Sequence, residues 1–126
     1  MIVPDFAIIF YTFAYMIIEE HISKNKNDFL LLCRSNGVRY LYAFGSSVTK
    51  NFDPHKSDID LLVEVDSKDP IERGERLHDL WDKFEIFFNR RVDLLTESSI
   101  HNSFLKKNID STKILIYDGS RQKILI

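Results

Sequence analysis

A single cysteine, Cys33, occurs in the whole chain, which excludes a disulfide framework and any zinc site built from cysteines alone. It also fits a reducing cytoplasm. Glycine and proline are scarce as well, 4 and 3 residues in 126, so collagen-like and linker-like material is ruled out. Neither sign of charge dominates. The 17 Lys and Arg against 19 Asp and Glu leave a net charge of −2 and a pI near 6.1, and so no global basic field for gripping a polynucleotide. Also missing are repeats, low-complexity segments and any apolar run of the roughly 20 residues that a membrane span needs. What is present suits one small core: 44% hydrophobic residues, 29% charged, and a generous aromatic set of 10 Phe, 5 Tyr and 1 Trp. A chain of 126 residues is one domain, and a small one to hold both substrates of a two-substrate reaction.

The longest apolar run, Phe6 to Ile18, is too short to cross a membrane. It follows Pro4-Asp5 and precedes Glu19-Glu20, without the leading positive charge of a secretory leader. Two readings stand: a helix covered by the core or by a partner, or an extension ahead of a natural start at Met16. On the second, residues 1–15 precede a domain over 16–118, with a tail over 119–126. Ile18, Ile22, Phe29, Leu30 and Cys33 recur at helical steps and predict a helix over 17–33, stopped by Asn36-Gly37. Tyr40 to Phe44 reads as a buried strand ending at Gly45-Ser46, and residues 49–57 as a polar loop. From Asp58 to Val65 the alternation sets Ile59, Leu61, Val63 and Val65 on one face, and Asp58, Asp60, Leu62 and Glu64 on the other. Asp69-Pro70 opens a helix whose apolar stripe is Leu77, Leu80, Trp81, Phe84, Phe87 and Phe88. A short strand over 92–95, a helix over 97–108 and a strand over 113–117 follow. The order predicts an α/β sheet with helices packed on it.

Three elements carry chemistry. Asp58 and Asp60, two apart on a strand, share a face with bases about 7 Å apart, and such a pair of like charges calls for a cation between them. Oxygen donors suit Mg²⁺ or Mn²⁺ rather than zinc. The alternative, a solvated strand face, sits poorly with the apolar Ile59, Leu61, Leu62 and Val63 around them. Gly45 ends a buried strand, where its backbone can turn closely toward an anion, and Ser46 and Ser47 add hydroxyl donors for phosphate oxygens. An ordinary turn with a serine cap is the competing reading. Asp93 lies in Arg91-Val92-Asp93-Leu94-Leu95. Should that strand lie beside Asp58–Val65, Asp93 joins Asp58 and Asp60 around two ions and helps deprotonate an attacking hydroxyl. Its alternative is a simple pairing with Arg90 or Arg91.

Taken in order, Phe44-Gly45-Ser46, a polar loop, Ser57-Asp58-Ile59-Asp60-Leu61-Leu62-Val63 and Val92-Asp93-Leu94-Leu95 resemble the minimal nucleotidyltransferases of the DNA polymerase β-like superfamily, over about residues 16–117. The resemblance implies a mixed sheet flanked by helices, with Gly45 and Ser46 on the triphosphate of ATP or another NTP, and Asp58, Asp60 and Asp93 on Mg²⁺. It also implies a partner. Members of this family are often encoded beside a small helical HEPN-domain ribonuclease, which they antagonise as cytoplasmic antitoxins, in studied cases by moving AMP from ATP onto a tyrosine of the toxin. One departure stands out: where many relatives carry Ala-Arg-Gly after the Gly-Ser pair, this chain has Val48-Thr49-Lys50, leaving Lys50 or Lys56 as point charges in place of a guanidinium fork. With all three carboxylates present, a competent site is expected. The rivals are an antitoxin that acts by binding alone and transfer to a small molecule, for which no extra domain is evident.

The remaining candidates are weaker. His55 sits in the polar loop; His21, His78 and His101 share no ligand spacing with cysteine. Cys33 falls on an apolar stripe and reads as core. Lys106, Lys107, Arg121 and Lys123 make the tail mildly basic, and Ile124-Leu125-Ile126 need burial on the core or on a partner.

Overall fold

The helical period over 17–33 is real, but two helices carry it. In the computed structural model, which describes residues 6–45 and 58–126 (side chains from residue 15 on in the first helix), α1 runs Phe6–Lys24 and α2 Lys26–Ser35. Asn25 makes the break. Its N–H donates to the Ile22 carbonyl at 3.1 Å, a tightened turn, while its own carbonyl accepts from the Phe29 N–H at 3.0 Å and so starts the next helix. The apolar phase survives, and Ile18, Ile22, Phe29 and Cys33 are all buried. Gly37 then turns the chain with φ of 64°, in the left-handed region; a Cβ there would lie 2.4 Å from the Arg76 guanidinium.

The elements that follow are β1 (Val38–Phe44), β2 (Ile59–Val65), α3 (Pro70–Phe88), β3 (Val92–Leu95), a 3₁₀ turn over Glu97–Ser99, α4 (Ser103–Thr112), β4 (Ile114–Asp118) and β5 (Lys123–Ile124). They build one five-stranded sheet in the order β3-β2-β1-β4-β5. Three pairings are antiparallel; β2 and β3 alone run parallel, with α3 as the crossover that such a pair requires. This is the mixed α/β sheet expected from the sequence.

Strand alternation divides the sheet into two faces. Leu41, Ala43, Ile59, Leu61, Val63, Val65 and Val92 join Ile18, Ile22, Phe29, Leu80, Phe84 and Phe88 of the first three helices in the main core. Phe44 and Leu62 turn the other way and meet Ile109 of α4 in a smaller cluster. The helix expected over 97–108 starts later, because the Asn102 side chain accepts from the N–H groups of Phe104 and Leu105 and caps α4 there. Residues beyond 119 add strand β5, and Ile124 and Ile126 pack on the main core. Among the described residues no helix is long and apolar enough to cross a membrane.

Candidate active site

The sheet brings the candidate residues to one end. β1 leaves the sheet at Phe44-Gly45, where β2 enters, and parallel pairing starts β3 at that same end. The register sets Phe44 opposite Asp60 and Asp60 opposite Asp93. Directly opposed residues share a face, so Asp60 and Asp93 stand side by side on the face away from the main core. Asp58 comes one residue before β2. Burial grades the three carboxylates: Asp60 is 5% exposed, Asp58 half-buried and Asp93 exposed. Asp60 is buried because its strand is central and its neighbours on that face, Phe44 and Leu62, are packed under α4.

Arg91 pairs with Asp58, not in the arrangement with Asp93 that the sequence left open. Its Nε lies 3.9 Å from the Asp58 Oδ1, a loose contact made by an exposed guanidinium and so a weak one. The Gly45 N–H donates to Thr112 Oγ1 at 3.4 Å, and that hydroxyl donates to the Asn108 carbonyl at 2.8 Å. This N–H is therefore engaged by the last turn of α4. Ser46 and Ser47, expected beside Gly45 at the phosphates, lie outside the described residues, as do Val48-Thr49-Lys50, His55 and Lys56.

The donor set fits magnesium chemically: three carboxylates from adjacent strand positions, with no sulfur or imidazole among them. Among the described residues no three His, Cys, Asp or Glu side chains converge closely enough to enclose an ion. A cleft of about 550 Å³ lies at the opposite end of β1 and β4, between Arg34, Arg39, Tyr40, Tyr42 and Asp118, and contains none of the three carboxylates. The acid chemistry and that cleft are separate features.

Two side chains that the sequence did not single out for the site stand next to it. Trp81 Nε1 donates to the Val92 carbonyl at 2.7 Å, and Glu85 Oε2 accepts from the Val92 N–H at 2.9 Å. Their spacing of four residues places both on one face of α3. What that face meets depends on tertiary structure.

The nucleotidyltransferase domain family model matches residues 26–116. Two proteins of the archaeon Methanocaldococcus jannaschii, each named as a candidate protein adenylyltransferase, are similar to this chain. One is 34% identical over 79 residues, covering 63% of this chain and 77% of the relative; the other is 33% identical over 99 residues, covering 79% and 94%. Among solved structures, a tri-AMPylated Shewanella oneidensis HEPN toxin in complex with MNT antitoxin is similar at 24% identity and a TM-score of 0.46, covering 79% of this chain and 74% of that one.

Proposed function

The chain belongs to the nucleotidyltransferase domain family, and from that premise we propose that it uses Mg²⁺ to move AMP from ATP onto a hydroxyl of a partner protein, a HEPN-type ribonuclease toxin that it restrains as antitoxin. The observation that carries the site is the register of Asp60 opposite Asp93, with Asp58 two residues ahead, at the end of the sheet where β1 runs out into Gly45. The names of the two archaeal relatives support adenylyl transfer to protein, and the ordered Gly-Ser, Asp-x-Asp and Asp motifs support the toxin partner through the family they resemble.

Each aspartate has a distinct part in this reading. Asp58 and Asp60 hold the metal; burial keeps the Asp60 carboxylate out of bulk water, so its attraction for a cation is little screened. Mg²⁺, when bound, neutralises phosphate charge and acidifies a coordinated hydroxyl. Asp93, the exposed member, completes the site and takes the proton of the acceptor hydroxyl. The acceptor oxygen bonds to the α-phosphorus, the bond from that phosphorus to the α,β-bridging oxygen breaks, and pyrophosphate leaves with the electron pair. Catalysis rests on positioning and charge stabilisation.

Labelled ATP, Mg²⁺ and the product of the neighbouring gene provide the test. The partner becomes labelled, and Asp58→Ala with Asp60→Ala abolishes the labelling. Val48-Thr49-Lys50 in place of Ala-Arg-Gly favours one rival, restraint by binding alone. Full neutralisation of the toxin by the double variant decides for that rival.

A further inference from the structure

Asp93 sits on an edge strand only four residues long, with a neighbouring strand, β2, on one side only. In a parallel ladder alternate residues turn their peptide groups toward the neighbouring strand. The Ile59 N–H donates to the Arg91 carbonyl at 3.0 Å, so Arg91 and Asp93 face β2 and the peptide groups of Val92 face outward. An outward N–H and C=O on an edge strand normally go to water or to another chain. Here α3 takes both, the carbonyl through Trp81 Nε1 and the N–H through Glu85 Oε2. About two turns earlier along its length, and on the adjoining strand, the same helix is tied to β2 by the ion pair of Arg73 with Glu64. A single helix therefore grips the strand that carries Asp60 and the strand that carries Asp93.

We propose that Trp81 and Glu85 are positioning residues for the metal site: by holding both peptide groups of Val92 they fix β3 against β2 and so set the Asp93 carboxylate relative to Asp60. The inference rests on the reading of Asp60 and Asp93 as metal ligands. Each acts through the backbone one residue before Asp93. The pair also closes the outer edge of β3 at Val92 to strand addition.

The test uses the full chain with Mn²⁺ as the probe, titrated by electron paramagnetic resonance in the presence of a non-hydrolysable ATP analogue. Trp81→Phe keeps the ring and loses the N–H; Glu85→Ala loses the acceptor. Each weakens Mn²⁺ binding by about tenfold, the scale seen when a group orienting a metal ligand is removed. Glu85→Gln keeps an acceptor oxygen and retains most of the affinity. Ile86→Ala, on the same helix at a position 79% exposed, leaves affinity as in the wild type. Amide exchange at Val92 reports the clamp itself and quickens in Glu85→Ala. Wild-type Mn²⁺ affinity in both Trp81→Phe and Glu85→Ala, alongside faster Val92 exchange, overturns the positioning role alone. A wild-type chain that neither binds Mn²⁺ nor transfers nucleotide overturns the reading of the three aspartates, and this inference with it.

Discussion

Burial pushes the Cys33 thiol up to about 12, because the thiolate would have no water around it. The thiol is thus inert in the native chain. At pH 8 its reaction with a disulfide reagent is on the order of 10³-fold slower than in the denatured chain, a comparison that a colorimetric thiol assay makes directly. The pH consequence has a definite sign. Since the unfolded thiol ionises near its ordinary value of 9.0 and the folded one near 12, the stabilisation is complete below pH 9 and disappears as pH rises through that interval. Asp118 shows the opposite case. A hydrogen bond from the Ser120 hydroxyl, then one from Arg121, hold its carboxyl down to about 2. Its contribution is present above the ordinary value of 3.8 and is lost as pH falls toward 2, so Asp118→Asn flattens the acid limb of a denaturant-midpoint profile between those values.

At the scale of elements, α3 carries the clearest expectations. The Asp69 side chain accepts from the Ile71 N–H at 3.1 Å, Pro70 takes the first helical position, and Asn89 ends the helix with φ of 49°. Asp69→Ala costs about 1 kcal/mol in urea denaturation, the usual value of such a cap. Asn89→Gly is neutral or mildly stabilising in the same assay, because the left-handed turn suits glycine. These features were legible in the sequence, since Asp69-Pro70 is a local signal and the stripe from Leu77 to Phe88 a periodic one. So was β2, where strict alternation separated Asp60 from Ile59 and Leu61. What escaped detection is what periodicity does not encode. Asn25 splits a helix without shifting its apolar phase, and β5 is too short to show a pattern. The contacts of Thr112 with Gly45 and of Trp81 with Val92 join residues that only the folded sheet brings together. At the site, the aspartates and their common strand end were readable. The meeting of Arg91 with Asp58 was not, because the two lie more than thirty residues apart and only the pairing of β2 with β3 brings them together.

For the whole molecule, the N-terminal helix invites a direct cut. The described contribution of α1 to the main core begins at Ile17 and includes the fully buried Ile18 and Ile22. A chain starting at Met16 keeps these side chains and unfolds cooperatively in a thermal melt. One starting at Ser23 loses two buried isoleucines, at about 2–5 kcal/mol each, a large share of the roughly 5–15 kcal/mol that holds a domain of this kind together, and shows no cooperative transition. The parallel pairing of β2 with β3 has a further effect, on timing. Asp60 comes opposite Asp93 only after the intervening α3 has formed and folded back, and pairings across such a crossover pay loop-closure entropy before they return any contact energy. The candidate site therefore comes into being late in folding. In a growing or partly unfolded chain the aspartates are scattered, so the proposed nucleotide transfer starts only once β3 has docked on β2.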